Sequence, residues 1–439
     1  MARQVRILCT HDFLASYAPL PTSYGTLPGG EALRATVAAI KAEGPAIWAD
    51  TGDFAHVGPL STLSQGALAF DAANELGIDV GTLGNHELDH ELAAFRTGVE
   101  KLDHQLLCAN LSAVGLPATT LIETEAGLIG FVGLTHPDLG KIHSGSAFKL
   151  PAPDRGATMS VIEAAASLRR AGAAAVVVLI HDGVDWRMPN GRLEIDTTRL
   201  AALLRDWQGK VDLVCGGHTL GQHFGTIAGI PYAQPWPYGS EIGVVDLRLE
   251  GGTCQVGAPR GLAVAAGEAW SGTGAALLDE AQDDVLGTLA APLIDRIDGS
   301  VPLAHWLADA IRAASGADLA IGYSTCGQPT LDGAFAALPA GRISRLNVMQ
   351  ATPWTDGSLV SATFDADDVA ALARRYRPAH VSIWEAIVLH GAAQAGSLVT
   401  TSGYMAALIS GAVGHPVDWQ PVSMTLYDCV RKCLRCPLV

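Results

Sequence analysis

Residues 84–89 read GNHELD, and the fold turns on them. An amide, an imidazole and two carboxylates follow a glycine within six positions. Four further segments carry the same kind of side chain: Asp12 in CTHDF, Asp53 in ADTGDF, His181 in VVVLIHDG and His218 in CGGHTL. Each follows an apolar run or a glycine turn, so each can project from a loop into one cleft. Carboxylate, amide oxygen and imidazole are ligands that Zn²⁺, Mn²⁺ and Fe²⁺ accept. The neighbouring glycines let the backbone turn without a Cβ clash.

Outward from these motifs, short β-like runs at 5–10, 46–50, 105–108, 128–134, 174–180 and 211–215 alternate with helical patterns such as GEALRATVAAIKAEG and SVIEAAASLRRAG. That alternation predicts α/β layers with functional loops at the carboxyl ends of strands. Residues 274–297, GAALLDEAQDDVLGTLAAPLIDRI, carry a long helical pattern and are read as a linker helix between two domains. Beyond it, Leu303, Leu307 and Ile311 line one face of another helix ahead of a short strand.

The bulk properties narrow the partners. The 439 residues are 49% hydrophobic and 16% charged, a globular balance with room for more than one core. Lysine and arginine number 28 against 44 aspartates and glutamates, a net charge of −16 that repels a nucleic-acid polymer. The longest run of apolar or small residues, Ala171 to Ile180, is too short to span a bilayer. MARQVRIL leads straight into a strand pattern with no leader signature, and Cys9, Cys108 and Cys215 sit at apolar strand ends. A cytoplasmic protein with buried free thiols is expected. The tail DCVRKCLRCPLV, with Cys429, Cys433 and Cys436, is expected to be disordered or tethered.

The five segments, in this order, resemble the calcineurin-like metallophosphoesterases and, within them, the 5′-nucleotidase family. That family shows D-x-H, G-D, G-N-H-E-x-D, a histidine after an apolar strand, and G-H-x-H or G-H-x-Q. The resemblance implies a four-layer α/β/β/α metallophosphoesterase sandwich over 1–260, a linker helix region over 261–295, and over 296–439 a smaller, divergent α+β domain like the 5′-nucleotidase C-terminal domain. It also implies a ligand set. One metal site of the family is complete here as Asp53, Asn85, His181 and His218. The other keeps Asp12 and Asp53 but has Leu14 and Leu220 where its remaining ligands belong. Both losses fall on one metal, so a site remodelled to hold a single divalent ion (Mn, Zn or Fe) is expected. His86, oriented by Asp89, matches the family's proton- or hydrogen-bond-donating pair. An imidazole so held suits proton transfer near neutral pH. His11, His56 and His223 lie near the motifs, and His56 is the best placed of them to compensate.

The second half departs further from the family. Its N-G-G-x-R element is replaced by YSTCGQ without an arginine, although ATPWTDG and TTSGYM keep some likeness. Trp354 and Tyr404 are candidates to pack against a substrate ring, with core packing as their ordinary role. The expected activity is hydrolysis of a small phosphorylated, nucleotide-like substrate. A mononuclear enzyme of other chemistry, with iron among the metals, and a catalytically silent binding protein are the alternatives.

Overall fold

Ala175–Ile180, AVVVLI, is buried at all six positions. Only a strand covered on both faces reads as an unbroken apolar run. The computed structural model gives it that setting. It describes residues 3–22, 25–89, 92–137, 139, 158–187, 194–251, 253–296, 299–324, 334–353, 355–376, 379–381, 386–392 and 394–435. Contacts divide the chain into two compact units, Met1–Pro19 with Leu27–Gly274, and Leu20–Thr26 with Ala275–Val439.

The first unit holds two packed sheets. One runs in the order Thr253–Val256, Glu241–Glu250, Arg3–Thr10, Ala46–Asp50, Val80–Thr82, Gln105–Leu107, with Arg260–Ala263 also pairing Glu241–Glu250. The other runs His223–Ile227, Ile230–Gln234, Leu213–Gly216, Ala175–Ile180, Gly127–Leu134, Thr119–Thr124. Alternate residues of the facing strands make the shared core: Val5, Ile7 and Cys9 from one side, Val177, Leu179 and Cys215 from the other. The opposite face, with Val176, Val178 and Ile180, packs against Val161 and Leu168 of helix Thr158–Arg170 and against Leu200 and Leu204 of helix Thr198–Leu204. Helix Gly29–Glu43 lies against Ala46–Asp50 and buries Leu33, Val37 and Ile40. The result is the expected α/β/β/α sandwich.

The central strands set the register that matters. Thr10 pairs Asp50 in parallel. Ala175–Ile180 runs parallel to both neighbours, so Ile180 aligns with Leu134 and with Gly216. Their carboxyl ends therefore open at one edge of each sheet, where an α/β fold builds its sites.

In the second unit a six-stranded sheet runs His380–Val381, Ala386–Gly391, Leu319–Ser324, Ser397–Ser402, Leu359–Phe364, Gln420–Val422. Helix Pro302–Ser315 buries Leu303, Leu307 and Ile311 as expected. Two expectations are corrected here. The helical pattern over 274–297 is helix only at Ala275–Asp283; Val285–Leu289 and Leu293–Arg296 are strands. Pro292 breaks the helical run, and at Gly287 a side chain would meet Leu434, so the segment pairs as strand instead. The cysteine tail is not loose either. Leu426–Arg435 is a helix that buries Leu426, Tyr427, Cys429, Val430 and Cys433, while Cys436 lies outside the described residues. Among the described residues no helix is long and apolar enough to cross a membrane.

Candidate metal centre

The parallel register brings the strand-end loops together. Around His181 Nε2 stand Asp53 Oδ2 at 3.0 Å, Asn85 Oδ1 at 3.1 Å and His218 Nδ1 at 3.2 Å. His181 Nδ1 lies 2.7 Å from the Thr51 carbonyl, which can only accept. This bond fixes the tautomer and turns Nε2 toward the cluster, the usual way a ligating histidine is held. Asp53, His181 and His218 form a group able to hold a metal ion. With the Asn85 oxygen the donor set is two imidazoles, a carboxylate and an amide, which fits a divalent transition ion.

Close packing shapes the loops. A Cβ on Gly84 would lie 2.1 Å from Asp53 Oδ1, and Gly52, at φ 98°, would bring one within 2.6 Å of Gly84 N. The buried Glu87 carboxylate accepts hydrogen bonds from the backbone N–H groups of Asp53, Phe54, Ala55 and Gly84. Thr51 Oγ1 donates to the Gly216 carbonyl at 3.1 Å, tying the strand ends of the two sheets. Asp12, Leu14, Asp53, His218 and Leu220 all adopt positive φ, from 45° to 67°.

Asp12 sits differently from the other acids. Its Oδ2 accepts from the His218 backbone N–H at 2.6 Å and faces His11 Nδ1 at 2.6 Å, while His11 Nε2 donates to the Pro235 carbonyl at 2.6 Å. Burial alone would raise the Asp12 carboxyl, but the His11 hydrogen bond and the surrounding imidazoles bring it down to about 2. Leu14 and Leu220 are both buried. His86 Nδ1 lies 2.8 Å from Asp89 Oδ2, and its backbone N–H donates to Asp53 Oδ1 at 2.7 Å. Burial opposes its charge, but Asp89 and Asp53 outweigh that and push it up to about 9. Burial, with His181 and His136 adding to it, holds His218 well below the usual histidine range.

His56 packs edge-on to Phe70, with Nδ1 2.5 Å from Ser61 Oγ. His223 packs beside Tyr232. Tyr404, in the second unit, packs against Tyr323 with ring centres 5.3 Å apart. Trp354 lies outside the described residues. The sequence reading missed His136 and Asp182. His136 follows the Gly127–Leu134 strand, and its ring centre is 4.4 Å from that of His218. Burial, outweighing Asp182, pulls it down to about 4. Asp182, next to His181, is clamped by two hydrogen bonds from Arg199 at 2.7 and 2.8 Å. The signal for His136 was available: like the other site residues, it lies just past the end of a strand.

Residues 28–222, which carry most of this cluster, match the calcineurin-like phosphoesterase family. This segment is a calcineurin-like phosphoesterase domain. The chain thus carries the domain of a metal-dependent hydrolase family. It is 26% identical over 298 residues to Endonuclease YhcR of Bacillus subtilis, a match spanning 60% of this chain but only 24% of that relative's length. A 5′-nucleotidase precursor from Thermus thermophilus superposes with a TM-score of 0.69 at 16% identity, covering 99% of this chain and 96% of the other. The sulfate thiohydrolase SoxB of Thermus thermophilus gives 0.69 at 16% identity, covering 98% and 94%. Likeness at such identity establishes a shared two-domain fold.

Proposed function

We propose that this phosphoesterase hydrolyses a small phosphorylated substrate at a centre built for one divalent ion, held by Asp53, Asn85, His181 and His218. The observation that carries the reading is the convergence of three ligand atoms on His181 Nε2, whose lone pair the Thr51 carbonyl orients. A divalent ion held there would supply Lewis-acid polarisation of a substrate oxygen and acidify a water molecule. The remaining roles fall to side chains. His86, held by Asp89 and part-exposed, donates a proton or hydrogen bond to the ester's leaving or non-bridging oxygen. Glu87 and Thr51 hold the ligands in place.

The second family position is unsuited to an ion on this reading. Leu14 and Leu220 offer no donor atoms, and Asp12 Oδ2 is already engaged by His11 and by the His218 N–H. A divalent ion beside hydrocarbon would lose hydration without replacement ligands. A catalytic domain over 1–260 and a substrate domain over 296–439 remain our reading, with 261–295 between them helical only at Ala275–Asp283. So does a cytoplasmic setting, which the buried free thiols Cys9, Cys108 and Cys215 support. One similar protein is named an endonuclease, but the net charge of −16 favours a small substrate here over a polymer.

The test pairs elemental analysis of protein purified without added metal with product release from phosphomonoesters, phosphodiesters, nucleotides and thiosulfonate esters. One tightly held ion per chain and phosphate release abolished by His181→Ala are expected. Two fully occupied positions, or thiosulfonate cleavage without any phosphate release, would overturn the reading.

A further inference from the structure

Beside the metal centre the first unit exposes an aromatic surface that the proposed chemistry does not use. Asp185–Arg187 and Glu194–Asp196 form a two-stranded ribbon in which Trp186 stands directly opposite Ile195. Opposed residues of such a pair project to one face. Ile195 is 39% exposed, among the few large apolar side chains so open in the described residues. The Trp186 ring is nearly parallel to that of Trp236, at 13°, with centres 6.1 Å apart, and both tryptophans are only part-buried.

The surface is anchored to the loops of the centre. Trp186 Nε1 donates to the carbonyl of Thr219, the residue after His218, at 3.2 Å. Its indole occupies the space a side chain on Gly221 would need, only 2.5 Å from that Cβ position. Trp236 follows Pro235, whose carbonyl His11 holds, and its own N–H donates to Glu241 at 3.0 Å. Between these anchors the chain carries Leu220, an apolar residue where the resemblance calls for a ligand.

We propose that Trp186, Trp236 and Ile195 form a subsite for a planar apolar ring on the substrate's leaving group; it rests on the hydrolase reading above. The ring stacks on an outer indole face. Inserting it between the two would need two van der Waals gaps of about 3.5 Å each, more than the 6.1 Å separation provides. Two indoles and one isoleucine are far too small for a stable protein interface, which takes about 800 Å² per partner. They suit one ring or a fused pair. A substrate anchored this way depends less on an arginine than a nucleotide held by its charges.

The test compares 1-naphthylmethylphosphonate with methylphosphonate, two non-hydrolysable anions, by calorimetric titration of the metal-loaded chain. The naphthyl compound is expected to bind about tenfold more tightly. Trp236→Ala should collapse that ratio toward one while methylphosphonate affinity stays unchanged, and Trp236→Phe should restore most of it. A ratio that survives both Trp236→Ala and Ile195→Ser overturns the subsite; these two variants spare the Trp186 bond that loop folding uses. If methylphosphonate fails to bind at all, the hydrolase reading fails separately. In that case 1-naphthol is the probe, and quenching of tryptophan fluorescence lost in Trp236→Ala upholds the subsite, while equal affinity in both proteins overturns it.

Discussion

At the scale of single residues, His86 and the two leucines carry the sharpest expectations. His86 contacts Asp89 and the Asp53 carboxylate without being part of the ligand cluster. His86→Ala should therefore keep metal content and fold yet lose roughly 10²–10⁴-fold in turnover, read by kinetics beside elemental analysis. Unchanged turnover would reduce the motif to scaffold. Leu14→His with Leu220→His should raise stoichiometry toward two ions per chain, and either change alone should do much less. A folded double variant that still binds one ion would show that the His11–Asp12 pair, rather than the leucines, closes the position. The residues that converge on His181 were legible in the sequence because each carries a metal-binding type of side chain just past an apolar strand. His11 was not, since only the fold brings the Pro235 carbonyl to its far nitrogen. His56 lies one turn of loop from Asp53 in sequence, yet it packs with Phe70 and Ser61. Sequence proximity says little about which way a loop side chain faces.

The unit at the next scale is the loop gathered on Glu87. Four backbone N–H groups share one buried carboxylate there, and all belong to the segments that present Asp53 and Asn85. Removing the carboxylate leaves those donors buried and unpaired, at about 1–3 kcal/mol each. Glu87→Ala should cost at least about 3 kcal/mol in denaturant unfolding and lower metal content in the protein that remains folded. A variant of full stability and full metal content would mean water replaces the carboxylate. Elements with one strong period were readable before the structure: the all-buried Ala175–Ile180 and the amphipathic Pro302–Ser315 are where the patterns put them. The stretch after Ala275 was not, because alanine and leucine favour helix locally while Gly287, Pro292 and cross-strand pairing decide the outcome.

Taken whole, the molecule should lose stability in mild acid through a residue far from any ligand role. His104 is buried beside Phe54, and neither ring nitrogen has a protein partner among the described residues. Burial, outweighing the pull of Asp79 and Asp103, takes it down to about 4, against about 6.5 when unfolded. Between those values the unfolded chain binds the extra proton. Its contribution is therefore complete above about pH 6.5 and is lost as pH falls toward 4, by about 3 kcal/mol in all. His104→Phe should flatten that part of the stability–pH curve in urea unfolding; an unchanged slope would assign the acid sensitivity elsewhere. A whole-chain expectation about substrate follows from the missing arginine. An arginine fork grips an anion through two parallel bonds, and YSTCGQ has none. AMP should be turned over poorly beside an aryl phosphate, and a kcat/KM for AMP equal to the aryl ester's would contradict this.

Asp12, Leu14, Asp53, His218 and Leu220 share a left-handed backbone, although none is glycine. Such a posture costs an ordinary residue about 1–2 kcal/mol, while burying a leucine side chain returns about 1.5–3 kcal/mol. At Leu14 and Leu220 the hydrocarbon therefore offsets the curvature it must adopt. A loop whose path is fixed by its neighbours can exchange a ligand for a hydrocarbon and keep its course. On such a scaffold, inheritance can separate the shape of a reaction centre from its chemistry. One codon at a time, a lineage can retire an ion, line its place with grease and present the remaining one to a new class of molecule, long before the main chain has to move.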